Sequence, residues 1–168
     1  MAIVLIGGGA RSGKSRHALE LARKRGSRLV FLATAETFDE EMARRVALHR
    51  AERGTEFSTI EEPLEIAAAI RKTQDADAIV LDCLTLWLSN LMLTFGRDAD
   101  AEIEELIEAA RSSSAAVIAV TNEVGCGIVP DNALSRDFRD RAGILNQRVA
   151  AAADEVYWMI FGQPLRVK

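Results

Sequence analysis

The octapeptide Gly8-Gly9-Ala10-Arg11-Ser12-Gly13-Lys14-Ser15 fits the pattern G-x-x-x-x-G-K-[ST]. It follows the apolar run Ala2–Ile6 and opens the helix-period segment Lys14–Arg25, which is the strand–loop–helix context the pattern needs. Its glycines let the loop curl so that backbone N–H groups and the helix N-terminus face phosphate oxygens. Lys14 then reaches the β and γ phosphates, and the Ser15 hydroxyl binds Mg²⁺. The plainer alternative is a glycine-rich turn with a solvated lysine.

Around this loop, short runs rich in β-branched residues alternate with longer helical segments, the pattern of βα units on a mostly parallel sheet. Strands are predicted at Ala2–Ile6, Arg28–Leu32, Ala78–Leu81, Ala116–Val120 and Glu155–Ile160, with a weaker candidate at Glu56–Ile60. Their near-continuous apolar character predicts helices on both faces. Helices are expected at Lys14–Arg25, Asp39–Arg53, Leu64–Lys72, Leu84–Leu93, Ala99–Arg111 and Ser135–Ala152. No linker or repeat interrupts the 168 residues, which predict one α/β domain over 1–168.

Composition narrows the function. Hydrophobic residues make up 49% and charged residues 27%, ordinary globular usage that excludes a disordered or fibrous chain. A net charge of −4 argues against nucleic acid as a partner, because such binding relies on a basic excess. Cys83 and Cys126 are the two cysteines and form no C-x-x-C or zinc pattern. The N-terminus lacks a basic region ahead of its apolar run. The apolar stretch Leu84–Phe95, broken by Ser89 and Asn90, is too short to span a bilayer. These features predict a cytoplasmic protein without a membrane span. That stretch is apolar on more than one helical face, so it is either fully buried or partly covered by a second subunit, the latter being the favoured reading in a domain this small.

A phosphate loop calls for a carboxylate on the metal side at the end of a neighbouring strand, and Ala78-Ile-Val-Leu-Asp82 supplies one. Asp82 would hold Mg²⁺ directly or through water; taken alone, an Asp ending a strand is more often a turn or helix cap. In Asp39–Arg53, the side chains of Arg45, His49 and Arg53 succeed one another at i, i+4 spacing. Guanidinium groups one turn away on each side bind an anion and lower the imidazole pKa, leaving it neutral and nucleophilic near pH 7. A solvated charged helix with an incidental histidine is the alternative. His17 reads as structural. Thr34, Glu61-Glu62 and the segment Thr121–Asp131 lie where α/β proteins place ligands, but each polar residue there also suits a turn.

The phosphate loop with Arg16 and His17, the Asp-Glu-Glu-Met-Ala-Arg-Arg…His-Arg-Ala-Glu-Arg segment, Ile-Glu-Glu-Pro, Leu-Asp-Cys-Leu-Thr-Leu-Trp-Leu-Ser-Asn, Thr-Asn-Glu-Val-Gly…Ile-Val-Pro and Arg136-Asp-Phe-Arg-Asp-Arg-Ala-Gly143 occur in this order along nearly the whole chain. Together they resemble the bifunctional adenosylcobinamide kinase/adenosylcobinamide-phosphate guanylyltransferase family of cobalamin biosynthesis. The resemblance implies a RecA-like P-loop fold, a homotrimer, and ATP or GTP as nucleotide substrates. It implies two reactions on the aminopropanol arm of the corrinoid: phosphorylation of the hydroxyl of adenosylcobinamide, then guanylyl transfer to adenosylcobinamide phosphate. The family histidine matches His49, which would attack the α-phosphate of GTP and carry GMP covalently. GTP contacts are implied for Gly8 through Ser15, for Ala33, Thr34 and Ala35, for Arg50, Ala51, Glu52 and Arg53, and for Glu61 and Asp82.

The chain departs from the family pattern at Gly7, which adds a glycine ahead of the loop, at Leu48, where many relatives carry a second histidine, and at Gly54, which replaces a frequent proline. Two rival readings remain open on the sequence. A plain small-metabolite kinase would form no covalent nucleotide intermediate, and an ATP-driven RecA-like module would hydrolyse ATP without a corrinoid. A regulatory GTPase fits poorly, since no N-K-x-D pattern is present.

Overall fold

Strand β1, Ile3–Gly8, is buried along its whole length, and a parallel sheet grows from it on both sides. The computed structural model describes residues 2–35, 54–93 and 97–168. In these, chain order is β1, α1 (Lys14–Arg23), β2 (Leu29–Ala33), β3 (Phe57–Glu61), α2 (Ile66–Lys72), β4 (Ala78–Asp82), α3 (Leu84–Leu93), α4 (Ala99–Ser112), β5 (Ala116–Val120), α5 (Ala133–Ala152), β6 (Glu155–Ile160) and β7 (Gln163–Arg166). The spatial order of the seven-stranded sheet is β3-β2-β4-β5-β1-β6-β7. All neighbours are parallel except β6 and β7, which pair antiparallel.

Side-chain alternation splits the core between the two faces. Val4, Ile6, Phe31, Val80 and Ile118 pack under α1 through Ala18, Leu19 and Ala22. Ile3, Leu5, Leu32, Leu81 and Val117 face the other way, where Ile70, Leu88, Ile107 and Leu145 of α2 to α5 cover them. Both faces are therefore dry, as the apolar run Ala78–Leu81 of β4 and the whole of β5 require.

Helix α3 corrects one expectation. Leu84, Trp87, Leu88 and Leu91 are each 1% exposed or less, and α2, α4 and α5 share their cluster, so this chain itself buries the helix that was expected to need a second subunit. Only its end behaves otherwise, with Leu93 70% exposed. The Trp87 indole Nε1 donates to Leu64 O at 2.9 Å, which satisfies the ring's one polar atom inside the core.

Two helix starts shift for local reasons. Helix α5 begins at Ala133 because Asn132 caps it, its side chain accepting from Ser135 N at 2.8 Å. Helix α2 begins at Ile66, not Leu64, because Glu62 draws the N–H groups of Leu64 and Glu65 into a turn first. Strand β7 was not expected from the sequence and extends the sheet antiparallel at its edge.

Candidate active site

The loop after β1 is shaped by two left-handed residues, Arg11 at φ 53° and Gly13 at φ 93°. Gly13 is the N-cap of α1, with no side chain capping the helix and no acid in its first turn. Four N–H groups at a helix start lack helical partners, and an end of this kind can receive an anion. The Gly8 backbone, at φ 150°, lets Ser12 fold back: a Cβ there would stand 2.9 Å from Ser12 Oγ and 3.0 Å from Met159 O.

Lys14 is the charged residue that this loop buries, at 6% exposure. Its Nζ donates to Gly9 O at 2.5 Å and lies 3.4 Å from Ser12 Oγ, so the ammonium is folded across the loop. Burial pushes its pKa below the usual lysine range, while the Asp82 carboxylate and the Cys83 thiol pull it back up. The sheet explains the Asp82 effect. Asp82 ends β4 opposite Val120 of β5, and Val120 lies opposite Ile6 of β1, so loop lysine and strand-end carboxylate share one carboxyl edge.

The same edge continues outward. Ala33 is opposite both Asp82 and Glu61, so three of the residues expected to touch nucleotide stand abreast on β3, β2 and β4. Thr34 behaves differently. It has no exposure, its Oγ1–H donates to Cys83 O and it accepts from Cys83 N, each at 2.8 Å. Asn90 Nδ2 donates to Thr34 O at 2.9 Å. The Thr34 side chain thus ties the ends of β2 and β4 together from inside, and Ala35 follows at the partly exposed rim.

His49, Arg50, Ala51, Glu52 and Arg53, together with Arg45, lie outside the described residues. His17 sits on α1 as expected, edge-on to Tyr157 with centroids 5.2 Å apart. Burial lowers its pKa, with Glu20 opposing.

Two features of this edge go beyond the sequence reading, the first by fixing where part of the expected Thr121–Asp131 segment runs. Because β5 lies between β1 and β4, the segment after it passes between loop and Asp82: Glu123 N donates to Gly8 O at 3.1 Å, and Asn122 N to Thr85 Oγ1 at 2.7 Å. The signal was a polar run at a strand's carboxyl end, but its position depended on strand order. The second is the β6–β7 turn, where Gly162 approaches the loop. A Cβ on Gly13 would stand 3.5 Å from Gly162 Cα.

A Mg²⁺ ion implied by such a loop needs hard oxygen donors. Ser15, partly exposed at the start of α1, and the Asp82 carboxylate are donors of that kind, and the pull of Asp82 on Lys14 puts that carboxylate within electrostatic reach of the loop. The residues present fit the ion.

Comparison with known proteins agrees with this architecture. The RadB recombinase structure matches with a TM-score of 0.55 at 16% identity, covering 94% of this chain and 73% of that one. A type III secretion ATPase matches with a TM-score of 0.57 at 13% identity, covering 94% and 50%. These give the fold, a RecA-like P-loop α/β sheet. Three relatives are far closer in sequence. The bifunctional adenosylcobalamin biosynthesis protein CobP of Pseudomonas aeruginosa is 44% identical over 166 residues, covering 98% of this chain and 96% of that protein. Proteins of the same description, CobU, are 39% identical in Escherichia coli and 41% identical in Salmonella typhimurium, each covering 99% of both chains. Residues 4–167 match the family described as cobinamide kinase / cobinamide phosphate guanyltransferase. With a full-length match and relatives near 40% identity, this chain belongs to that family.

Proposed function

We propose that this protein catalyses both reactions named for its family, within the one domain formed by residues 1–168. In the first, the terminal hydroxyl of the aminopropanol arm of adenosylcobinamide attacks the γ-phosphorus of ATP or GTP. The new O–P bond forms as the bond to the β-phosphate oxygen breaks. In the second, a ring nitrogen of His49 attacks the α-phosphorus of GTP and pyrophosphate leaves. The phosphate of adenosylcobinamide phosphate then displaces the imidazole, giving adenosylcobinamide-GDP and restoring free His49. One difficult displacement becomes two easier ones.

The observation that carries this reading is the phosphate loop itself, with Lys14 buried and its Nζ folded across the loop onto Gly9 O. The buried ammonium lies beside a helix start with no side-chain cap, on the carboxyl edge that Asp82 shares. Such a site neutralises phosphate charge that grows in the transition state. Ser15 and Asp82 would hold Mg²⁺, which supplies charge neutralisation on the phosphate oxygens when bound. The backbone of Gly8 through Gly13 cradles the phosphates. Ala33 and Glu61 extend the edge on which the guanylyl donor lies, with Ala35 at its rim and Thr34 holding it from beneath. Arg50, Ala51, Glu52 and Arg53 flank the nucleophile in sequence and complete the GTP contacts. We place the enzyme in the cytoplasm as a homotrimer.

The direct test supplies adenosylcobinamide with MgATP or MgGTP and identifies products by mass spectrometry. The account expects adenosylcobinamide phosphate with either nucleotide, adenosylcobinamide-GDP only when GTP is present, and neither product with Lys14→Ala. Hydrolysis of ATP with no modified corrinoid would favour a RecA-like ATPase module instead.

A further inference from the structure

Phe161 is 97% exposed and sits in the left-handed region at φ 49°. With Gly162 at φ 79° it forms the two-residue turn between Ile160 and Gln163, which pair across β6 and β7. Turns with two positive φ values favour Asn-Gly or Gly-Gly, and a bulky aromatic in the first place is disfavoured both by sterics and by exposure. Strain of this kind collects at functional sites. The turn also touches the phosphate loop, since a Cβ on Gly13 would meet Gly162 Cα at 3.5 Å and Arg16 Nη2 reaches Gly162 O at 3.5 Å.

Strand order puts Asp82 and this turn on opposite sides of the phosphate-loop strand. Asp82, the carboxylate coupled to Lys14, lies on the β4 side of β1; β6 and β7 lie on the opposite side. With the terminal phosphate of a nucleoside triphosphate on the Asp82 side of the loop, the opposite side of β1, where the Phe161–Gly162 turn stands, is left for its sugar and base. We infer that the Phe161 ring is the stacking platform for the purine base of the phosphoryl donor. This rests on the phosphate-loop reading above and deepens it. Stacking uses the π-face that every base has, so the platform accepts adenine and guanine alike and leaves guanine selection to the guanylyl-transfer step.

The test is calorimetric titration of the full chain with MgATP and, separately, with Mg-tripolyphosphate, for wild type, Phe161→Asn and Phe161→Trp. Asn suits the left-handed turn, so that variant keeps its fold and raises the thermal midpoint. The inference expects Phe161→Asn to weaken MgATP about tenfold while tripolyphosphate binds as in wild type, and Phe161→Trp to restore MgATP affinity. Unchanged MgATP affinity in Phe161→Asn overturns the platform while leaving the phosphate loop standing. Wild type that binds neither ligand overturns the phosphate-loop reading itself, and the platform with it.

Discussion

Thr34 and Cys83 exchange two hydrogen bonds of 2.8 Å, the Thr34 hydroxyl donating to Cys83 O and accepting from Cys83 N. Both partners are buried, and Thr34 N also donates to Asp82 O at 3.2 Å. One side chain thus fixes the backbone around the strand-end carboxylate. Thr34→Val keeps the shape but leaves the buried Cys83 N–H unpaired, while Cys83 O keeps its bond from Trp87 N at 3.1 Å, and should cost about 2 kcal/mol. Thr34→Ser should stay within about 1 kcal/mol of wild type. Urea unfolding of both variants with unchanged m-values checks the comparison, and a Thr34→Val protein as stable as wild type would remove the hydroxyl from this role.

Lys14 is buried at a cost to stability that the proposed phosphoryl transfer requires. Its pKa is lowered by burial in the folded protein, so folding disfavours the charged form. The sign follows: protonated Lys14 costs stability below its folded pKa, and the cost fades as pH rises through the folded value toward the unfolded one. Lys14→Met should therefore raise the thermal midpoint at pH 7 and narrow its lead in alkali, while lowering phosphoryl transfer by about two to three orders of magnitude. Thermal melts from pH 7 to 10 beside a kinase assay would show both effects.

Asp77 accepts from Ser27 N, Arg28 N and Arg28 Nη2, each at 2.9 Å, and these donors hold its pKa near about 2. A depressed carboxylate stabilises fully above its unfolded pKa, near 3.8, and loses that contribution as pH falls toward 2. Asp77→Asn should lower the melting midpoint at pH 6 and converge with wild type near pH 2. Circular dichroism melts across that window test the sign. Gly26 belongs to the same contact: a Cβ there would stand 2.3 Å from Asp77 Oδ2, so Gly26→Ala should destabilise as well.

The two cysteines should separate cleanly toward thiol reagents. Burial pushes the Cys83 thiol up to about 12, whereas Cys126 is exposed, and only thiolates react quickly. A disulfide reagent at pH 8 should modify one thiol per native chain and two after denaturation. Rapid modification of both in native protein would contradict the burial of Cys83.

The sheet was largely readable because burial on both faces leaves long apolar runs, and β2, β4, β5 and β6 stand within a residue or so of their predicted positions. β7 was hidden because its signal is not apolar: four exposed residues including Pro164 become a strand only by pairing with β6. The strand, loop and helix around the phosphate-loop motif were legible, since the motif carries its own geometry. Asp82 needed the loop as context. Thr34 was expected near nucleotide and is fully buried, a distinction that depends on Cys83 and Asn90 approaching from distant sequence. The position of Asn122 and Glu123 depended on β5 lying between β1 and β4, an order no local pattern encodes. The expected helix Asp39–Arg53, with His49, lies outside the described residues.

The central claim is the covalent guanylyl intermediate on His49. Protein incubated with Mg²⁺ and GTP labelled at the α-phosphate, then denatured, should retain label in an acid-labile, alkali-stable bond, as a phosphoramidate does. His49→Ala should abolish that label while MgATP still binds. Absence of label on wild-type protein that binds nucleotide, or label persisting in His49→Ala, would contradict the account.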